Sequence, residues 1–189
     1  MKYSDKVFFG VFSIALIAII VIAGNYQISN STNKLPNPNV EWSNLINGQP
    51  LPNTPGKAMA ETRVITQPVT DARGKSTGWV IISSRASRDV GTRAPVHVHP
   101  YGGQTCVLSG EMSLYLDGEP TIMKAGPNEC YWMPANRRMS AINTGSTAST
   151  FIDTFVVPAG EQVWLVVEPG LEDSQDQFDM LFNTKEHVH

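Results

Sequence analysis

The feature that most constrains this fold is a long series of short apolar or alternating runs, separated about every eight to twelve positions by turn residues. From about Ala60 onward this pattern predicts strands over Arg63–Val69, Trp79–Ser83, Val96–His99, Gln104–Leu108, Met112–Leu116, Thr121–Lys124, Cys130–Met133, Ser140–Asn143, Thr150–Val156 and Gln162–Val167. Ser109-Gly110-Glu111, Asp117-Gly118-Glu119, Gly126-Pro127-Asn128 and Asn143-Thr144-Gly145 are good tight-turn sequences, so antiparallel hairpins follow. With 15 Gly and 13 Pro in 189 residues and no competing long helix, one all-β sandwich or barrel is expected.

The chain also carries a membrane-directed segment. Val7 to Gly24 is almost wholly apolar and, at about 1.5 Å per residue, reaches roughly 27 Å, enough to span a bilayer. Lys2 and Lys6 precede it and no Lys or Arg follows until Lys34, which puts the N-terminus in the cytoplasm and the remainder outside. Residues 1–24 therefore read as an uncleaved single-pass anchor. A signal cleaved after Ala23, releasing a periplasmic or secreted protein, is the alternative.

Residues 25–58, rich in Asn, Pro and Ser, read as a linker in which Trp42 and Leu45 could dock onto the domain. The barrel is expected over 59–168. An acidic extension, 169–189, has apolar Phe178, Met180, Leu181 and Phe182 that suit a short docked helix. The 14 basic and 17 acidic residues form no basic cluster beyond Arg137-Arg138, which excludes a nucleic-acid footprint. Export would permit a disulfide between Cys106 and Cys130, but their spacing does not indicate one, and two buried small hydrophobes is the favoured expectation. No Ser-His-Asp arrangement, Walker loop or dinucleotide fingerprint occurs in a suitable context.

Chemistry concentrates in Pro95-Val96-His97-Val98-His99-Pro100. Histidines at i and i+2 of an extended segment share a face, and two converging imidazoles suit a metal. Around them, Gly91, five residues, His97-x-His99, four residues, Gln104 and then Val107-Leu108-Ser109-Gly110-Glu111 resemble the first motif of the cupin superfamily. Gly126, Tyr131-Trp132-Met133-Pro134-Ala135-Asn136, Met139 and Asn143 resemble the second. The family writes Glu where this chain has Gln104, His where it has Met139 and Gly where it has Asn136. There is one residue too few between Gln104 and Gly110, and two extra follow Gly126.

The resemblance implies a double-stranded β-helix, or jelly-roll barrel, often dimeric, with an interior divalent metal. Carried over by position, the ligand set becomes His97, His99, Gln104 and Met139. A neutral amide and a thioether in place of a carboxylate and an imidazole weaken the site for Mn or Fe. Three readings stay open: a weakened Zn, Ni or Fe site; a copper site, since two imidazoles and a thioether suit Cu(I); and a barrel that binds a small organic ligand or nothing. Tyr101, Trp132 and Phe155 could line a pocket mouth, and Arg137 and Arg138 could receive an anion. Core packing and a solvated loop explain these residues equally well. His187 and His189 read as surface tail. The expectation is a small-molecule-binding protein, with a metal-dependent dioxygenase or isomerase acting on a small carbonyl or carboxylate compound as the alternative.

Overall fold

The computed structural model describes residues 41–52 and 59–181. The segment Val7 to Gly24 lies outside them, as do His187 and His189, and no helix among the described residues is long and apolar enough to cross a membrane. The described strands are β1 (Leu45–Ile46), β2 (Gln49–Pro50), β3 (Ala60–Thr70), β4 (Ser76–Arg88), β5 (His97–Val98), β6 (Gly103–Ser109), β7 (Met112–Leu116), β8 (Met123–Ala125), β9 (Cys130–Met133), β10 (Met139–Ile142), β11 (Ser149–Pro158) and β12 (Leu165–Val166). The helix α1 (Ser174–Leu181) follows them.

Two five-stranded antiparallel sheets form the barrel, one in the order β3-β4-β11-β6-β9 and the other β12-β5-β10-β7-β8. Their inner faces share one core: Val80, Ile82, Val107, Phe151 and Phe155 from the first pack in the same cluster as Met112, Leu114, Leu116, Met139 and Val166 from the second. Period-two alternation builds this core. Along β11, Ser149, Phe151, Asp153, Phe155 and Val157 are buried while the residues between them are less so.

Strand β5 is buried on both faces. Val96 and Val98 pack outward with Ile46 and Val167 in a second, smaller cluster, which leaves His97 and His99 for the interior. The β1-β2 hairpin supplies Ile46, so part of the expected linker is structural. Asn47 and Gly48, both at positive φ, make its two-residue turn, and Asn47 donates to Asp117 Oδ1 at 2.8 Å and to the Glu119 carbonyl at 2.7 Å. Leu51 packs against this cluster, while Leu45 is only half-buried and Trp42 is exposed.

The favoured expectation for the cysteines is corrected. Cys106 and Cys130 are register partners on β6 and β9 and are joined by a disulfide, because both face outward where the strands pair. Cys130 is exposed and Cys106 half-buried. Closing a loop with a sequence separation of 24 should stabilise the fold by about 3 kcal/mol. Cys106→Ala/Cys130→Ala is expected to lose that amount in denaturant unfolding while keeping its β circular dichroism. An unchanged unfolding midpoint would count against the staple.

Candidate metal centre

His97 and His99 are buried in the barrel with their rings 4.9 Å apart, centre to centre. Each is held by its Nδ1, which donates to a backbone carbonyl: His97 to Pro95 at 2.7 Å, His99 to Val163 at 2.8 Å. That bond fixes the neutral tautomer whose Nε2 carries the lone pair, the usual preparation of a metal-binding imidazole. His99 Nε2 is buried and has no hydrogen-bond partner. Burial holds the His99 pKa down to about 4, and burial followed by the neighbouring His99 holds His97 well below its ordinary value.

These shifts have a stability consequence. Both imidazoles stay neutral in the fold but take a proton near pH 6.5 when unfolded, so the unfolded chain binds more protons as pH falls. The metal-free protein is expected to lose stability between about pH 6.5 and 4, at about 1.4 kcal/mol per pH unit for each histidine still neutral in the fold. Denaturation midpoints measured across that window check this. A His97→Gln/His99→Gln variant should lose the slope.

Met139 lies opposite His97 in the β5-β10 register, is fully buried, and shares its face of the sheet. Gln104 does not join them. It is exposed on the outer face of β6, paired with Trp132, while Gly103 and Thr105 face inward. The inward residue at the end of β6 is Gly103, and counting from it restores the residue that was short before Gly110. A Cβ on Gly103 would lie 2.4 and 2.5 Å from Phe155 Cδ1 and Cε1, so the place of a carboxylate ligand is filled by an aromatic ring. The Phe155 ring stands 4.9 Å from His99, while Trp164 stacks on His97 at 3.5 Å and meets His99 edge-on at 4.8 Å.

The remaining expected ligand-binding residues lie elsewhere. Tyr101 and Trp132 are exposed, with Tyr101 edge-on to Trp79. Arg137 bonds the Asp117 carbonyl and Glu119, and Arg138 bonds Asp117 Oδ2 at 2.7 Å, so both brace the turn that holds the β1-β2 hairpin. None of the four lines the interior cavity. Phe155, expected at a pocket mouth, is deep in the core.

A cavity of about 20 Å³ lies between the sheets, bounded by His97 and Trp164 on one side and by Arg88, Thr105, Tyr131 and Asp153 on the other. Sequence reasoning missed this polar wall, which crosses four strands at one level. Ser84 pairs with Asp153, Asp153 with Thr105, and Thr105 with Tyr131, all buried, and Thr105 Oγ1 donates to Asp153 Oδ1 at 2.5 Å. Burial pulls the Arg88 pKa to about 10, still cationic at neutral pH, and pushes the Tyr131 phenol up, with Asp153 adding to that rise. Inward hydroxyl and charged residues among apolar neighbours on predicted strands were the available signal.

Residues 85–161 match the family model of the cupin domain. Over those residues the barrel is similar to cupin domains. Several solved structures are similar, all with a TM-score near 0.4. One is a double-stranded β-helix protein from Klebsiella pneumoniae, with 20% identity over 57% of this chain and 80% of its own, at a TM-score of 0.41. An RmlC-like cupin from Methanocaldococcus jannaschii has 17% identity over 54% of this chain and 91% of its own, at 0.40. The polyketide cyclase RemF from Streptomyces resistomycificus has 18% identity over 61% of this chain and 75% of its own, at 0.39. No curated protein matches the sequence. Among the described residues, no three His, Cys, Asp or Glu side chains are grouped to hold a metal, so a hard oxygen-rich site does not fit. The two imidazoles and the orphaned His99 Nε2 do fit a softer ion.

Proposed function

We propose that this cupin is a binding module whose interior takes one soft transition-metal ion, Cu(I) above Zn, on His97 and His99 with the Met139 thioether as third donor. The observation that carries the reading is the pair of buried imidazoles, each anchored through Nδ1, with His99 Nε2 left without a partner. Burying an unpaired nitrogen is costly, and a metal bond would satisfy it. With Gly103 and Phe155 in place of a carboxylate, the donor set is neutral and soft, which favours a d10 monovalent ion. The alternative, a metal-dependent oxygenase or isomerase, has less support. A cavity of about 20 Å³ has room for a water but not for an organic substrate.

The same reading puts the barrel outside the cytoplasm, on a membrane anchor or released from it. The lysines before Val7 support that orientation, and the Cys106–Cys130 disulfide suits an oxidising compartment. Protease added to intact spheroplasts should digest the barrel, and protection would contradict export.

Competition with a colorimetric Cu(I) chelator, using untagged anaerobic protein with His187 and His189 replaced by alanine, tests the function. One equivalent should bind, and His97→Ala/His99→Ala should lose at least about a hundredfold in affinity. Met139→His should strengthen Zn and Ni binding and lower the preference for Cu(I). Equal metal content in all three proteins would overturn the proposal.

A further inference from the structure

His97 and His99 are buried behind the cavity's walls, so a ligand larger than a water needs a wall that yields to reach them. The weakest wall is β9. Among the described residues it is a four-residue edge strand paired within its sheet to β6, through the register Gly103↔Met133 to Cys106↔Cys130. Asn128 before it and Asn136 after it both sit at positive φ, where a side chain costs energy, so the strand lies between two strained turns. Its inward residues, Tyr131 and Met133, line the cavity directly. The covalent tie to the rest of its sheet is the Cys106–Cys130 bridge, on the outer face between exposed Leu108 and Trp132.

We infer that this disulfide is a reversible redox latch on the cavity wall, a modification site whose substrate is an external dithiol. One thiolate of the dithiol attacks the more exposed sulfur, Cys130 Sγ. The S–S bond breaks, a mixed disulfide forms, and Cys106 leaves as a thiolate that takes a proton. The dithiol's second thiol then attacks the mixed disulfide. It releases Cys130 as a thiol and leaves the reductant as a disulfide, so two electrons and two protons move in all. Without the bridge, β9 is held by its backbone bonds to β6 and by the packing of Tyr131 and Met133, and as the short edge strand of its sheet it is the element that opens first. Tyr131 and Met133 leave with it, which bares Thr105, Asp153 and then His97 and Trp164. Reoxidation closes the wall. The latch rests on the metal-site reading only for what it admits, and its opening can be read without any metal.

The test uses the metal-free protein carrying Trp42→Phe, Trp79→Phe and Trp132→Phe, so that Trp164, stacked on His97, is the emitting tryptophan. Acrylamide quenching and hydrogen exchange are followed before and after reduction by dithiothreitol, and in Cys106→Ala/Cys130→Ala. Reduction should raise Trp164 quenching severalfold and speed exchange across Cys130–Met133 by about tenfold or more beyond any change in β4 and β11. Reoxidation should restore both in the cysteine-containing protein. Unchanged quenching and exchange would overturn the latch. Exchange that quickens equally in every strand would overturn it as well, since the bridge would then act only as a global staple and not also as a gate. Failed Cu(I) binding with intact gating would reject the metal-site reading alone.

Discussion

Glu168→Ala should cost about 3–5 kcal/mol of stability, the range expected when one partner of a buried ion pair is removed. The Glu168 carboxylate takes both arms of Arg93, at 2.6 and 2.7 Å, and accepts the Val96 N–H at 2.7 Å. Both side chains of the pair are at most 10% exposed. Cutting Glu168 back therefore strands a buried guanidinium and a buried amide at the foot of the histidine strand. Guanidinium unfolding of the variant measures the loss. Because Val96 is next to His97, Cu(I) affinity should fall as well. Arg93→Met/Glu168→Met, which removes both charges, should recover much of the stability, since the pair's desolvation cost disappears with it. A loss under about 1 kcal/mol for Glu168→Ala would mean that water reaches the pair.

Gly103→Ala should be among the most damaging single added methyl groups in the barrel. The new Cβ would lie 2.4–2.5 Å from two ring carbons of Phe155 and 3.1 Å from Met133 Cε, all in the packed core. Overpacking of this kind costs roughly 1–3 kcal/mol, occasionally more, and the upper end is expected because the Phe155 ring is itself wedged against His99. Adding Phe155→Leu should return most of the loss by vacating the ring's volume. Thermal unfolding of the single and double variants checks this, and equal melting of Gly103→Ala and wild type would show that the ring moves aside freely. Gly103→Glu with Phe155→Ala and Met139→His would supply harder donors and should move metal preference toward Mn or Fe.

The barrel was legible because its signals are local. β7 and β9 run over the predicted residues, Met112–Leu116 and Cys130–Met133, since tight turns bound them on both sides. The shared inward face of His97 and His99 follows from the period of a strand alone. The ligand position on β6 was misread by one residue, and in a strand a one-residue slip turns a side chain to the opposite face, which put Gln104 inside and Gly103 outside. The short count before Gly110 was the sign of that slip. The disulfide and the Trp164 stack depend on which distant strands pair, and spacing along the chain does not carry that information. The β1-β2 hairpin was hidden because its Asn-Gly turn sits among other asparagines and prolines that read as linker.

The most direct test of the central claim is X-ray absorption of the Cu(I)-loaded protein with His187 and His189 replaced by alanine. Nitrogen scatterers are expected at about 2.0 Å and one sulfur at about 2.3 Å, the usual ranges for imidazole and sulfur donors. The sulfur should be lost in Met139→Leu, and the bound copper should be lost in His97→Ala/His99→Ala. A shell of oxygen donors alone, or one unchanged in both variants, would contradict it.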